Sequence, residues 1–210
     1  MRWVLAVVVA LGCASCERNE AQGGPSTGSG TSRTDETAKE QERFDKERKP
    51  EKVVEALGIK PGSRVADIGA GSGLLTVHLA RAVKPNGKVV ATDIDQQVLD
   101  LMYARLSAAG LADLVERRVV GADSPDLEEG QYDAILLAEV DHYFSDPIAW
   151  LHDATKALRP GGRIVISNRL HRRTKSMATA EKAGLVLKGE PSAVDTHFIA
   201  VFVAPPGKDP

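Results

Sequence analysis

Three glycines at alternate positions, directly after a short apolar segment, constrain the fold of this chain more than any other feature. Residues 64–68 (RVADI) predict a strand, and residues 74–83 predict a helix. Gly69, Gly71 and Gly73 lie between them. Glycine permits the unusual dihedral angles of a sharp turn and leaves room for a ligand against the backbone. The order of strand, glycine turn and helix predicts the first unit of an α/β sheet.

The alternation of strands and helices continues along the chain and predicts a doubly wound α/β fold. Strands are predicted at about 64–68, 88–92, 115–120, 132–138 and 163–168, and helices at about 74–83, 96–109 and 147–158. Strands that are separated by helices of this length form parallel sheets, and their apolar character on both faces indicates helices on both sides. After a helix at about 175–183, strands at 185–188 and 197–204 follow with no helix between them. These two strands are therefore expected to pair antiparallel.

Three carboxylates are predicted near the carboxyl ends of strands, where ligands bind in such sheets. Asp67 lies two residues before the first glycine, where it can meet an ammonium group. Asp93 ends the second strand, 20 residues after Gly73, where it can accept hydrogen bonds from ribose hydroxyls. Asp95 is the alternative for that role, and its other interpretation is a helix N-cap. Asp123 follows the third strand and can receive an adenine amino group, or it closes an Asx turn.

An ordered set of motifs carries a family resemblance. DIGAGSG, ATDID, GADSPDL, YDAILLAE and LRPGGRIVIS resemble the motifs of class I S-adenosylmethionine-dependent methyltransferases, over a region from about Phe44 to Ala204. The resemblance implies a seven-stranded Rossmann-like sheet, mostly parallel with the last strand antiparallel. It also implies S-adenosylmethionine as cofactor and methyl transfer to a small-molecule acceptor. The stretch RFDKERKPEKVVEALGIKPG is similar to bacterial methyltransferases of unassigned substrate, some of them exported.

The resemblance assigns the cofactor contacts residue by residue. The glycines would hold the methionine part, Asp93 the ribose, and Ala122 with Asp123 the adenine. The complete set of expected cofactor-binding residues is Asp67, Gly69, Ala70, Gly71, Gly73, Asp93, Ile94, Ala122 and Asp123.

Candidate catalytic residues follow the fourth predicted strand. Methyl transfer needs an aligned nucleophile, and a base matters only when the acceptor must lose a proton. His142 is the best candidate for that base. Asp141 can position the acceptor, and Glu139 can face the sulfonium or the acceptor. The basic run at 169–173 either attracts an anionic acceptor or is a solvated loop.

Composition excludes several other classes of function. A net charge of −2 gives no reason to expect nucleic-acid binding, and the Asn-Pro-Pro-Tyr signature of many amino-methylating enzymes is absent. Cys13 and Cys16 are the only cysteines, so the domain has neither a disulfide framework nor a cysteine zinc site, and no metal site is expected.

The N-terminus predicts export. In residues 1–16, Arg2 precedes an apolar run from Trp3 to Leu11 that is too short to span a bilayer and is followed by small residues. The order resembles a bacterial lipoprotein precursor with Cys13 as the acylated residue and Cys16 as second choice. Residues 17–34, rich in Gly, Ser and Thr, predict a flexible linker. The cofactor-binding domain is expected at 35–204, a tail at 205–210, and the location in the cell envelope or periplasm.

Other functions fit the pattern less well. An exported chain of this type could be a non-catalytic, envelope-tethered module that only binds S-adenosylmethionine. The glycine spacing G-x-G-x-G, together with Asp67, disfavours a nicotinamide-dependent oxidoreductase. Aminopropyl transfer is a further possibility on a similar fold, although no acidic polyamine pocket is evident. The oligomeric state is not predicted.

Overall fold

The computed structural model describes residues 33–191 and 194–205. The predicted export segment at 1–16, nearly all of the predicted linker and nearly all of the predicted tail lie outside these residues. Within the described part of the chain, no helix is long and apolar enough to cross a bilayer.

Helices and strands alternate as the sequence pattern predicts, with ends that differ by a few residues. The helices are α1 (Arg33–Arg48), α2 (Pro50–Leu57), α3 (Thr76–Val83), α4 (Gln96–Ala108), α5 (Pro147–Lys156) and α6 (Arg173–Lys182). The strands are β1 (Arg64–Ile68), β2 (Lys88–Asp93), β3 (Val115–Val119), β4 (Tyr132–Ala138), β5 (Leu158–Arg169), β6 (Val186–Gly189) and β7 (His197–Val203). Short 3₁₀ turns at Ala112–Leu114 and Leu170–Arg172 complete the described elements.

Seven strands form one sheet in the order β3-β2-β1-β4-β5-β7-β6. The five strands from β3 to β5 are parallel, and β7 is antiparallel to both of its neighbours. The predicted doubly wound α/β fold with a reversed last strand is therefore confirmed. The strand order reverses beside β1, and ligands bind at such a switch point, beyond the carboxyl ends of the strands.

Helices cover both faces of the sheet. Alternate residues of β4 point to opposite sides, so that Ala134 and Leu136 join one core cluster while Ile135 and Leu137 join the other. The first cluster packs under α2, α3 and α4, and the second packs under α5 and α6. Since both faces are buried, the central strands are apolar throughout, as expected for a parallel sheet.

The fifth strand is longer than predicted. The sequence predicts this strand at about 163–168 and a helix up to about 158, yet β5 begins at Leu158, which pairs with Tyr132. The register shifts between Tyr132 and Ala134, so the extra residues form a bulge rather than a separate loop. A side chain at Gly162 would meet two carbonyl oxygens at 2.9 Å, which explains the glycine there.

Candidate active site

The glycine turn connects β1 to α3 and is held against β2. The Ala70 amide donates to the carbonyl of Thr92 (2.9 Å), and the Gly71 amide donates to the Asp93 carboxylate (2.9 Å). Gly71 and Gly73 both adopt left-handed φ values, of 55° and 83°. A Cβ at Gly71 would meet nothing within 4 Å, so this backbone lies open to a ligand.

Asp67 is buried in the central strand β1 and faces the start of α3. Its carboxylate accepts a hydrogen bond from the Thr76 hydroxyl (2.7 Å). Burial raises the pKa of Asp67 to about 7; the Thr76 hydrogen bond opposes this shift and the charge of Asp93 adds to it. A cationic ligand group would stabilise the ionised carboxylate, which is the chemistry expected for an ammonium contact.

The two acidic residues at the end of β2 have different contacts. Asp93 accepts hydrogen bonds from the amides of Gly71 (2.9 Å) and Asp95 (3.1 Å), so it orders the turn beside the cavity. Asp95 caps α4 and accepts from the Gln97 amide (2.8 Å). The N-cap interpretation of Asp95 is thus the one that its contacts support, and Asp93 keeps the predicted ribose role.

A cavity of about 420 Å³ lies at the carboxyl ends of β1, β2 and β4. Gly69, Asp93, Ile94 and Ala122, four of the predicted cofactor residues, line it. The Ile94 side chain is 66% exposed, so it offers an apolar surface against which a flat aromatic ring of a ligand can pack. Asp123 is not among the lining residues. Its carboxylate accepts a hydrogen bond from the amide of Ser145 (2.8 Å), a contact that is separate from the predicted contact with adenine.

Two buried polar atoms in this cavity wall lack partners. Among the described residues, neither the Thr92 hydroxyl nor the Trp150 indole N–H has a hydrogen-bond partner. Both side chains line the cavity, and Trp150 stacks on Phe144 with ring centroids 4.3 Å apart. Unsatisfied buried polar groups are rare and need an explanation. Both atoms are enclosed by protein, so a ligand reaches neither unless the surrounding side chains shift. The Asp93 carboxylate and the exposed Ile94 in the same wall fit an adenosine, which presents ribose hydroxyls and a flat ring.

A second cavity, of about 170 Å³, lies under the glycine turn and adjoins the first at Gly69 and Glu139. Asp67, Ala70 and Gly71 line it, together with Phe44 and Arg48 of α1. Asp67, Gly69 and Gly71 therefore line one cavity, whereas Gly73 is not among its lining residues and packs against Met102. The contribution of Arg48 was not predicted, because nothing in the local pattern indicates which part of the sheet α1 covers.

Glu139 is the centre of a charged cluster at the mouth of the second cavity. It adopts a left-handed φ of 56°, and its carboxylate pairs with Arg48, with Arg169 (3.2 Å) and with His197 (3.2 Å). Burial alone would raise the pKa of Glu139, but the charges of Arg48 and Arg169 hold it below the usual value. Glu139 is therefore an anion at neutral pH.

Asp141 and His142 belong to a buried polar network behind that cluster. The Asp141 carboxylate accepts from Asn168 Nδ2 (2.6 Å) and from the Ser176 hydroxyl (2.5 Å). The same Asn168 nitrogen lies 3.2 Å from His142 Nδ1. Both oxygens of Asp141 therefore accept hydrogen bonds from protein side chains that do not face the methyl acceptor. Burial lowers the pKa of His142, and the charge of Arg172 lowers it further, so the ring is neutral at pH 7.

Further residues of the candidate site, besides Arg48, came from outside the predicted set. Asn168 and His197 lie at the adjacent ends of β5 and β7, and Trp150 lies on α5. Asn168 lies near the end of a predicted strand, so its position could have indicated a place in the site. His197 could not be found in this way, because only the pairing of β7 with β5 brings it from a distant part of the sequence. No metal site is predicted, and residues 33–191 and 194–205 contain no group of three or more His, Cys, Asp or Glu side chains arranged to hold a metal ion.

The fold is Rossmann-like, and comparison with known proteins relates it to a family of enzymes. The family described as "Methyltransferase domain" matches residues 66–164. A ubiquinone/menaquinone biosynthesis C-methyltransferase of Hahella chejuensis is 30% identical over 114 residues, which are 54% of this chain and 46% of that relative. A ubiquinone biosynthesis O-methyltransferase of Alkalilimnicola ehrlichii is 32% identical over 125 residues, 59% of this chain and 48% of that relative.

Solved structures agree on the fold. The crystal structure of a SAM-dependent methyltransferase from Aquifex aeolicus superposes with a TM-score of 0.71 at 20% identity, covering 82% of this chain and 98% of that one. The sequence of residues 66–164 is therefore similar to that of methyltransferase domains, and the described chain has the fold of class I S-adenosylmethionine-dependent methyltransferases. These similarities imply S-adenosylmethionine as the cofactor. The chain spans less than half the length of the curated relatives it matches.

Proposed function

We propose that the protein transfers the methyl group of S-adenosylmethionine to a small-molecule acceptor. The observation that carries the proposal is the pair of adjoining cavities, in which the open Gly71 backbone and Asp67 line one while Asp93, Ile94 and Ala122 line the other. Binding of one elongated ligand across both cavities would account for these features together.

The chain's residues bind and orient the reactants in this proposal. When bound, the cofactor supplies a methyl group on a sulfonium, which an acceptor lone pair takes while the carbon–sulfur bonding pair returns to sulfur. Asp67 holds the ammonium end, and Asp93 holds the ribose hydroxyls. Glu139, anionic and beside Gly69, favours positive charge at the junction of the two cavities. Alignment of this kind supplies a large share of the rate of a bimolecular reaction.

His142 keeps a proton on its outer nitrogen in this arrangement. An amide nitrogen only donates hydrogen bonds, so the Asn168 contact requires Nδ1 to accept and therefore leaves the proton of the neutral ring on Nε2. In that tautomer, Nε2 donates to an acceptor oxygen. A role as base, as the sequence predicts, requires His142 to release Asn168 first. The names of the relatives include both a C-methyltransferase and an O-methyltransferase, so they assign no acceptor atom to this chain.

The first test is calorimetric titration of the full chain with S-adenosylmethionine, S-adenosylhomocysteine and NADH. We expect both adenosyl ligands to bind and NADH not to bind. Asp93→Ala should weaken adenosyl binding at least about tenfold, because losing the hydrogen bonds of one carboxylate costs about 1.5–3 kcal/mol. Asp113→Ala is the matched control, since Asp113 is exposed and its side chain forms no hydrogen bond or ion pair with the described residues. Absence of adenosyl binding by the folded protein would overturn the proposal.

A second test asks for catalysis. The protein is incubated with S-adenosylmethionine labelled in its methyl group and with small-molecule extracts of the cell envelope and of the cytoplasm. Label in an extracted compound, dependent on Asp93, is the expected result. Normal cofactor binding with no labelled product from any extract would favour the non-catalytic binding module.

We also propose that the chain is exported and anchored to the envelope by acylation of Cys13. The support is the order of Arg2, a short apolar run, small residues and cysteine, followed by a Gly/Ser/Thr-rich segment. Radiolabelled palmitate should enter the wild-type protein and the Cys16→Ser variant, but not Cys13→Ser. If Cys13→Ser is labelled and Cys16→Ser is not, the acylated residue is Cys16. If no form of the protein is labelled, the proposed lipid anchor is wrong.

A further inference from the structure

A third cavity, of about 760 Å³, lies between the end of α1, the start of α2, the end of β5 and the start of β7. Five cationic side chains line its walls: Lys46, Arg48, Lys49, Lys52 and Arg169. The acidic side chains among its lining are Glu47 and Asp195. We propose that this basic cavity binds an anionic group of the methyl acceptor, a carboxylate or a phosphate. The inference rests on the proposed methyl transfer and specifies its substrate class.

The basic cavity adjoins the second cavity, which lies under the glycine turn. Phe44 and Arg48 line both, so the two are separated only by side chains of α1. The Arg48 guanidinium lies over the Phe44 ring, 5.6 Å from its centroid, and pairs with Glu139 on the other side. An acceptor whose anionic end is held in the basic cavity therefore extends toward the place where the methyl group is expected.

The lysines of this cavity carry charge that nothing described neutralises. The side chains of Lys46, Lys49 and Lys52 form no hydrogen bond or ion pair with residues 33–191 or 194–205. Lys46 and Lys49 are exposed, and Lys52 is partly buried. Three unpaired positive charges in a concave surface attract an anion, because the low-dielectric walls concentrate the field.

The arginines at the boundary have donors to spare. Arg48 and Arg169 each use one nitrogen on the Glu139 carboxylate, and the guanidinium group carries five N–H donors in a fork that matches carboxylate and phosphate oxygens. The Glu139 carboxylate accepts from only one nitrogen of each arginine, so the other N–H donors stay available to an anion. An incoming anion can share the same two guanidinium groups, which would place it next to the reaction centre.

A neutral or cationic acceptor fits these observations poorly. A cation would meet five positively charged side chains and only two negatively charged ones, and a purely apolar molecule would leave the lysines unpaired. A basic cavity of this composition instead favours small acids or phosphate esters. The predicted basic run at 169–173 contributes only its first residue, Arg169, to the lining.

The test uses the full chain loaded with S-adenosylhomocysteine, and inorganic phosphate as the probe. Phosphate affinity is measured by calorimetry at constant ionic strength for the wild type, for Lys49→Gln/Lys52→Gln, and for the control Lys182→Gln/Lys188→Gln, which removes the same charge from exposed positions elsewhere. We expect phosphate binding to weaken at least fivefold in the first double variant and to be unchanged in the control. Circular dichroism and the affinity for S-adenosylhomocysteine establish that each variant is folded.

Sedimentation with phosphatidylglycerol vesicles, run beside phosphatidylcholine vesicles, distinguishes the two sources of such an anion. A loss of phosphate binding in the cavity variant supports a soluble acceptor, and a loss confined to anionic vesicles supports a lipid headgroup. Equal behaviour of both double variants in both assays would overturn the proposal. If S-adenosylhomocysteine fails to bind the wild type, the proposed methyl transfer fails instead, so the two failures are distinguishable.

Discussion

Gly71 and Gly73 share a left-handed backbone but differ in what surrounds them. A Cβ at Gly71 would enter open space, whereas one at Gly73 would lie 2.5 Å from the Cγ of Met102. We expect Gly71→Ala to lower the free energy of unfolding by only about 1–2 kcal/mol, the cost of a left-handed alanine. Gly73→Ala should lose about 1–3 kcal/mol more through overpacking against α4. Urea denaturation measures both losses.

The same two variants separate binding from stability. The added methyl group at position 71 occupies the surface against which the methionine part is expected to lie, so Gly71→Ala should lose cofactor affinity although it is the more stable variant. Calorimetric titration with S-adenosylhomocysteine at 20 °C checks this order. An unchanged affinity in Gly71→Ala would mean that the ligand does not approach the turn.

Asp67 should make stability and cofactor binding respond to pH in opposite directions. Its pKa is about 7 in the folded chain and near the ordinary value of 3.8 when unfolded, so the unfolded state loses its proton first. The contribution of the buried acid to stability is therefore complete below about pH 4 and declines as pH rises to about 7. Binding of an ammonium group needs the ionised form, so affinity should fall as pH drops below about 7.

Asp67→Asn provides the comparison for this prediction. The amide oxygen can still accept from the Thr76 hydroxyl, but the group no longer titrates. Relative to this variant, the wild type should lose stability between pH 4 and pH 7 in denaturation curves without ligand. Parallel curves for the two proteins would show that Asp67 is not protonated in the fold at mildly acidic pH.

At the scale of elements, α1 depends on one arginine of α4 for much of its attachment. The Arg105 guanidinium donates to the Ser72 carbonyl (3.0 Å) and reaches α1 at the Thr37 carbonyl (3.3 Å), Gln41 (3.2 Å) and Glu40 (2.5 Å). Arg105→Lys keeps the charge but loses the planar fork that serves these partners together. We expect faster amide exchange in α1, with the sheet unaffected, and several-fold weaker cofactor binding because α1 carries Phe44 and Arg48.

Arg117→Lys is the control for this effect. Arg117 also bonds to α4, at the Leu99 carbonyl (3.1 Å), but it reaches no residue of α1. Its replacement should leave exchange in α1 unchanged. Equal acceleration in both variants would show that α1 responds to general destabilisation and not to the loss of the Arg105 contacts.

Elements with strong local patterns were predictable from the sequence, and those that depend on partners were not. The apolar strands and the capped helices α4 and α5 follow from period and from N-caps such as Asp95 and Asp146. The start of β5 was missed, because Pro160 and two glycines are typical of turns, and only the pairing of Leu158 with Tyr132 returns that segment to the sheet.

At the scale of the whole molecule, the two halves of the site differ in how far the sequence predicted them. The parallel topology gathers the ends of β1 and β2 at one edge, so the positions of Asp67 and Asp93 followed from a general rule. The acceptor side joins α1, β5 and β7, which are far apart in the chain. Its contacts, such as those of Arg48 and His197 with Glu139, depend on packing that no local pattern encodes. The functional roles of all these residues stay predictions.

The stacked and unpartnered Trp150 has an optical consequence. The chain contains two tryptophans, Trp3 in the predicted export segment and Trp150 in the cavity wall. Indole emission is sensitive to the polarity of its surroundings, and a ligand in this cavity would change that polarity. In a Trp3→Phe background, the protein therefore carries a single tryptophan, which can be excited apart from the three tyrosines, at the place where adenosine is expected. Occupancy could then be followed by emission alone, without labelling the protein or the ligand.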